Sequence, residues 1–75
     1  MAFKYFNIAW TEFANGQITD VGNLIMYTTG PTNPDELKRH VRSYNRKPES
    51  AVIVLLNVQP LDKATFEALG GKSPE

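Results

Sequence analysis

The chain has 75 residues, no cysteine and a formal net charge of zero, from eight basic and eight acidic side chains. A chain this short makes one domain and buries only about 60% of its unfolded surface when it folds alone. Without cysteine, neither a disulfide nor a thiolate metal site can reinforce the fold. The charge balance argues against a DNA mimic and against nucleic-acid binding by bulk charge. Good packing or association with another chain must therefore supply stability.

A β-hairpin is predicted at the start of the chain. Residues 3–13 are rich in aromatic and β-branched types, the composition of a strand. Asn15-Gly16 follows, and this pair favours a type I′ turn with φ > 0 at both positions. The second strand is predicted over residues 17–28.

The pairing of the two strands predicts an irregularity. A two-residue loop alone would set apolar Ile8 opposite polar Asn23, whereas one extra residue would set Ile8 opposite Leu24. Because glycine inside a strand often marks a β-bulge, we expect the bulge at Gly22 or Asn23. The residues predicted to share the core face are then Phe6, Ile8, Trp10, Leu24 and Met26.

The opposite face of the hairpin carries more aromatic side chains. Phe3, Tyr5, Phe13 and Ile18 fall on it. If both helices pack on one side of the sheet, this face is exposed, and exposed aromatic patches usually mark partner surfaces. The sequence therefore predicts that Tyr5 and Phe13 contact a protein partner. The alternative is that these aromatic rings only fill the core of a small domain.

A helix is predicted over residues 34–46. Asn33 can cap it, Pro34 suits the first helical position, and Glu36 completes a spacing like that of a capping box. An apolar stripe at i, i+4 and i+7 follows, and Pro48 is expected to stop the helix.

The remainder of the chain predicts a strand and a second short helix. Residues 51–58 lack polar alternation, which is typical of a strand buried on both faces, and Pro60 is expected to end it. Asp62 can cap the second helix, with Phe66 and Leu69 directed inward and Gly70-Gly71 as its stop.

The predicted fold class is α+β with the order ββαβα. An N-terminal antiparallel hairpin extends to a three-stranded sheet, with one longer and one short helix packed on it. Residues 1–70 form the single predicted domain, and residues 71–75 are predicted to be a flexible tail.

Basic residues cluster around the end of the first predicted helix. Arg39, Arg42 and Arg46 are spaced by three and four positions, so they are expected to share one helical face, with Lys47 beside them. A functional interpretation makes these four residues a contact surface for phosphate or an acidic partner. The alternative is a solvated face whose cations lie at the negative end of the helix dipole.

No catalytic or metal motif is present in the sequence. His40 is the single histidine and has no carboxylate or nucleophile placed beside it by the pattern, so a structural or solvated role is expected. One histidine and no cysteine make a zinc site improbable. We therefore predict a protein that is not an enzyme and carries no cofactor or metal.

The third strand must lie at an edge of the sheet, beside the first or the second strand. An apolar strand with an exposed edge invites pairing, so either the second helix covers it or a second copy of the chain does. A homodimer is the expectation. The start of the chain alternates polar and apolar residues and lacks a signal-peptide pattern, which favours a cytoplasmic protein that is not membrane-bound.

Three classes of function follow, in order. The first is a small binding protein of the inhibitor or adaptor type that occupies a protein partner, and the general shape of the predicted fold, shared by many small proteins of phages and mobile elements, suggests such a source by analogy. The second is a nucleic-acid-binding module that uses the basic helix and the aromatic residues of the sheet. The third is an oligomeric protein that sequesters a small ligand.

Overall fold

The computed structural model describes residues 2–74 and contains one three-stranded antiparallel sheet and two helices. The sheet has the strand order β2-β1-β3, so the first strand is central and the other two are its edges. The α+β class and the ββαβα order predicted from the sequence are confirmed. The elements are β1 (Lys4–Ala14), β2 (Gln17–Thr28), α1 (Pro34–Tyr44), β3 (Val52–Leu61) and α2 (Lys63–Ala68).

The hairpin turn forms as its two residues predict. Asn15 has φ 53° and Gly16 has φ 76°, the positive values that a type I′ turn requires. The predicted bulge position is wrong. The pairing shifts between Glu12 and Phe13, which leaves Thr19 as the extra residue close to the turn. A bulge at Thr19 shifts the register of all pairs beyond it by one residue, as the predicted bulge would have done. The predicted pairing of Ile8 with Leu24 is therefore confirmed.

Gly22 has a packing role instead. It pairs with Trp10, and a Cβ atom at this position would lie 2.8 Å from Cζ2 of the indole. No side chain fits in that space unless the ring moves, because real Cβ contacts are not that short. The bulge at Thr19 also turns Val21 away from the core, opposite Thr11.

The core lies between the sheet and α1, on the face of the sheet that we call inner. Leu37 and Val41 of α1 are buried against this face, and four of the five predicted core side chains of the hairpin, all except Leu24, belong to the core. Leu24 packs at its margin. Among the described residues, the buried members of this core are Phe6, Ile8, Trp10, Met26, Leu37, Val41, Ala51 and Ile53.

Helix α1 begins where the sequence predicts and ends two residues earlier. The side chain of Asn33 accepts a hydrogen bond from the backbone N–H of Glu36 at 3.0 Å, which confirms the cap. At the other end, Arg46 adopts φ 55°, and the N–H of Lys47 bonds to the carbonyl of Arg42 at 2.8 Å. This is the bonding pattern of a Schellman motif, so the helix ends before Pro48 can act on it.

Strand β3 is longer and more exposed than predicted. It continues through Pro60 to Leu61, because an edge strand tolerates a residue without an N–H where its backbone faces away from its neighbour. The expectation of burial on both faces is wrong, since Val52 is 56% exposed and Leu56 is 63% exposed. Helix α1 covers only the inner face of this strand, where Ile53 is buried.

Helix α2 lies on the other face of the sheet, which we call outer. Phe66 is buried there with its ring centroid 4.8 Å from that of Tyr5. Asp62 caps the helix by accepting from the N–H of Thr65 at 2.7 Å, as predicted. Leu69 was expected to point inward, but it forms the C-cap and is 51% exposed.

The predicted glycine stop of α2 is confirmed. Gly70 has φ 97°, and the N–H of Gly71 bonds to the carbonyl of Phe66 at 3.0 Å. Beyond it, Ser73 shares a hydrogen bond of 3.1 Å with the hydroxyl of Tyr5. The division into a domain over 1–70 and a flexible tail over 71–75 stays a prediction, and Glu75 lies outside the described residues.

Candidate protein-binding face

The outer face is uncovered at the end of the sheet near the hairpin turn. Two cross-strand rows lie there side by side. In the first row, Phe13 of β1 pairs with Ile18 and with Val52. In the second row, Thr11 of β1 is the central residue, between Val21 and Val54. Directly paired residues point to the same face, so these side chains form one surface. We call its apolar members the outer patch: Phe13, Ile18, Val21, Val52 and Val54.

The outer patch is exposed at its two edges. Ile18 is 61% exposed and Val21 is 63% exposed on β2, while Val52 and Val54 on β3 are 56% and 38% exposed. Phe13 in the central strand is half-buried between them. Scattered exposed apolar residues are ordinary, but a contiguous group on one face usually marks an interaction site.

Polar contacts hold the backbone beneath the patch. The hydroxyl of Thr11, which is 2% exposed, donates to the carbonyl of Asp20 at 3.0 Å. On the bulge, the hydroxyl of Thr19 donates to the carbonyl of Glu12 at 3.3 Å. Both bonds cross from one strand to the other at the bulge, so they fix the position of Ile18 and Val21 without using any atom of the patch.

Tyr5 was predicted to contact a partner as an exposed side chain, and the expected exposure is wrong. It lies on the outer face as expected but is only 6% exposed, because α2 packs over it. The prediction for Tyr5 assumed that both helices pack on one side of the sheet. Helix α2 packs on the outer face instead and covers Tyr5. Phe13, eight residues farther along the same face, is beyond the reach of the short helix and belongs to the outer patch.

Lys47, another predicted contact residue, is paired within the chain. Its Nζ lies 3.1 Å from a carboxylate oxygen of Glu12 and 2.7 Å from one of Asp20. Glu12 and Asp20 are directly opposite each other on the hairpin, so the ammonium relieves a like-charge pair. Its hydrogen bond lowers the pKa of Asp20 below the ordinary value of 3.8, and the pKa of Lys47 is raised mainly by the same bond.

The three arginines do not form one cationic row. Arg39 pairs with Glu36 on the surface of α1. Arg42 donates from Nε to the carbonyl of Ala51 at 2.9 Å and so ties α1 to the start of β3. Arg46 follows the end of the helix at positive φ, so it does not continue the helical row.

A groove of about 450 Å³ lies along this side of α1. It brings together three of the predicted residues, Arg39, Arg42 and Lys47, with three carboxylates and one hydroxyl. The cations of the groove are therefore balanced by anions, and this arrangement does not favour a phosphate over water. The residues that line it are Asp35, Glu36, Arg39, Arg42, Ser43, Lys47 and Glu49.

Among residues 2–74, no cluster of three or more histidine, cysteine or acidic side chains is placed to hold a metal ion. His40 is half-buried on α1. Within the same range, no helix is long and apolar enough to cross a membrane.

Sequence reasoning missed three members of the outer patch. Val52 and Val54 have the i, i+2 spacing of one strand face, but the isoleucine between them and the two leucines that follow suggested burial on both sides. The bulge predicted at Gly22 or Asn23 lies beyond Val21, so the two-residue loop then sets Val21 opposite Trp10, on the core face. No local pattern indicates that Thr19 takes the extra position, so the exposure of Val21 could not have been found from the sequence.

Comparisons with known proteins give no relative: no family model, no curated protein and no solved structure matches this chain.

Proposed function

We propose that this chain is a small cytoplasmic binding protein without chemistry of its own, which occupies a folded protein partner through the outer patch. An inhibitor or adaptor of the kind that phages and mobile elements encode is the role that suits it. The single observation that carries the proposal is the contiguous apolar surface across all three strands, where four side chains are between 38% and 63% exposed.

The chemistry of the patch defines the partner. None of its five residues is charged, so the partner must offer an apolar surface of its own. The next row along the outer face places exposed Asn23 and Asn57 on either side of Ala9. An apolar centre bordered by polar side chains is the usual anatomy of a protein interface. This border separates the patch from the end that α2 covers.

The basic residues contribute less to this proposal than the patch does. Lys47, Arg39 and Arg42 are each bonded within the chain, and an external anion would have to compete with those bonds. Nucleic-acid binding is therefore disfavoured relative to protein binding. The proposal also includes a homodimer, in which the second copy binds at the free edge of β3 and leaves the patch accessible.

Charge placed in the patch tests the proposal. Tagged wild-type protein is used to capture its partner from native lysate, and the captured protein is purified and titrated. Val21→Lys should weaken binding of that partner by roughly tenfold or more, because an apolar contact is replaced by a charge that must be desolvated. The matched control is Arg39→Ala, which changes an exposed side chain outside the patch.

Equal binding by Val21→Lys and wild type would remove the patch from the proposal. Loss of binding by Arg39→Ala with retention by Val21→Lys would move the site to α1. Binding that falls steeply with added salt would favour a charged partner instead.

A further inference from the structure

We propose that a second copy of this chain pairs with β3 along its free edge, antiparallel and two-fold symmetric, with Val54 opposite its own copy. The dimer itself depends on the edge of β3 alone. Its consequence, one joint surface made of two outer patches, rests on the proposed function.

The two edge strands differ in how they are protected. On β2, Asp20 carries a charge in the strand and Lys47 reaches across to it from beyond α1. Strand β3 has no charged residue anywhere between Val52 and Leu61. Natural proteins usually guard sheet edges with charges, especially lysine, so an uncharged edge ten residues long is the one open to pairing.

The backbone of β3 offers groups for such pairing. A two-residue hairpin loop is closed by a hydrogen-bonded pair, here Ala14 and Gln17, so the even-numbered residues of β1 direct their N–H and C=O groups toward β2. Their partners on β3 therefore direct theirs away from the sheet. These partners include Pro60 opposite Phe6, where the missing N–H costs no bond in the sheet.

The segment that remains for pairing is short and self-complementary. Leu55 lies opposite Trp10 and Ile53 opposite Glu12, so both present free backbone groups at the edge. In a two-fold antiparallel pair centred on Val54, Ile53 of one chain bonds to the partner's Leu55. No charged residue meets its like in this register. The irregularity of β3 between Leu55 and Asn57 and the proline at position 60 limit pairing beyond this segment.

The geometry of the pair determines which surfaces meet. Neighbouring antiparallel strands of one sheet are related by a two-fold axis perpendicular to it, so both chains keep their outer faces on the same side. Val54 therefore comes next to the partner's Val54, and Val52 lies opposite the partner's Leu56 in this register. The dimer would carry a single apolar surface across six strands, with α1 of both chains on the opposite side.

A short strand pair buries less surface than a standard stable interface, so the dissociation constant is expected to be on the order of micromolar. Sedimentation of the wild-type protein over a concentration series from about 1 to about 100 µM measures it. Val54→Lys and Val54→Glu are the test variants, because each places like charges opposite each other at the axis. Position 54 is 38% exposed, and circular dichroism reports whether each variant is folded.

Each test variant alone should dimerise at least roughly tenfold more weakly than wild type, and an equimolar mixture of the two should recover a dimer by pairing opposite charges. Ile18→Lys is the control, since it places the same charge on the far strand of the outer face. It should leave the dimer unchanged. Val21→Lys should lose the partner but keep the dimer, so failure of the proposed function is distinguished from failure of the dimer.

A wild-type protein that stays monomeric to about 100 µM overturns the inference. So does a dimer that Ile18→Lys abolishes, since that result means two outer faces stacked on each other. A mixture of the two Val54 variants that stays monomeric, while wild type dimerises, rules out the register centred on Val54.

Discussion

The two ends of the outer face are built from similar strands but differ in what covers them. At one end, Phe66 of α2 lies on Tyr5, and the ring of Tyr27 is 6.1 Å from that of Phe66 in an edge-to-face arrangement. At the other end, none of the helices and strands described over residues 2–74 lies above the outer patch, and its edge side chains stay exposed. The short second helix is long enough to cover only one half of this face, and the other half stays exposed.

The energetic roles of the two ends should differ accordingly. Burial of the aromatic rings contributes to folding at the covered end. At the patch, polar bonds of Thr11 and Thr19 hold the strands, and the apolar side chains contribute little to folding while they remain in water. Substitutions at the two ends can therefore separate stability from association.

The largest effect is expected from Phe66→Ala, which removes the ring that covers Tyr5. Since Phe66 is 2% exposed, the substitution should lower the free energy of unfolding by about 3 kcal/mol or more. Denaturant unfolding measures the change. Leu69→Ala, on the same helix but 51% exposed, is the control and should cost far less. Similar losses of unfolding free energy in Phe66→Ala and Leu69→Ala would mean that α2 does not stabilise the covered end.

Gly22→Ala should have the next largest effect. The added Cβ would lie 2.8 Å from the indole of Trp10, so the buried ring or the strand must shift, at a cost of about 1–3 kcal/mol. Gly30→Ala is the matched control, since its added Cβ would meet the Thr28 hydroxyl at 3.5 Å, an ordinary contact. If the free energy of unfolding of Gly22→Ala equalled that of wild type, contact with the indole would not be the reason for glycine at position 22.

Lys47→Met should destabilise the protein in a pH-dependent way, because it leaves Glu12 and Asp20 opposite each other without a cation. The pKa of Asp20 is lowered in the folded state, so its contribution is present above pH 3.8 and is lost as the pH falls through the folded value. The raised pKa of Lys47 means that its contribution is present below pH 10.5 and is lost as the pH rises through the folded value.

The difference in unfolding free energy between wild type and Lys47→Met should therefore be largest near neutral pH and narrow toward both extremes. Chemical denaturation across the pH range tests this, with Lys63→Met on α2 as the control for loss of an exposed cation. A difference that is independent of pH would assign the effect of Lys47 to packing of its aliphatic chain.

The smallest effect on stability is expected at the patch itself. Replacing both Ile18 and Val21 by threonine keeps β-branched side chains in the strand and changes only exposed atoms. The free energy of unfolding should stay within about 0.5 kcal/mol of wild type. A loss of about 2 kcal/mol or more in the monomer would show that the patch is part of the folded core, and the contrast between the two ends would disappear.

The sequence predicts the elements of this fold correctly where the interactions that form them are local. The turn at Asn15-Gly16, the cap at Asn33 and the cap at Asp62 each depend on atoms within three residues, and the structure confirms all three. The end of α1 was less accessible, since an arginine in the left-handed conformation at position 46 has no residue pattern that indicates it.

The candidate site was only partly accessible. Phe13 was chosen correctly as a member of the outer face at its open end, whereas Tyr5 was not, because no local pattern tells which face a short helix will cover. Lys47 was chosen for its charge, yet its partners are 35 and 27 residues away along the chain. Such pairs depend on the packing of α1 against the hairpin and on the bulge that aligns Glu12 with Asp20.

The sequence by itself determined the α+β class, the order of the elements and the inner core face, because turn residues, caps and apolar periodicity act over a few positions. Only the tertiary structure decided that the bulge lies at Thr19, that α2 packs on the outer face and that β3 pairs with β1 rather than with β2. Each of these depends on which distant surfaces fill the same space. Because of that packing, one part of the outer face stays uncovered, and the proposed site lies on this part.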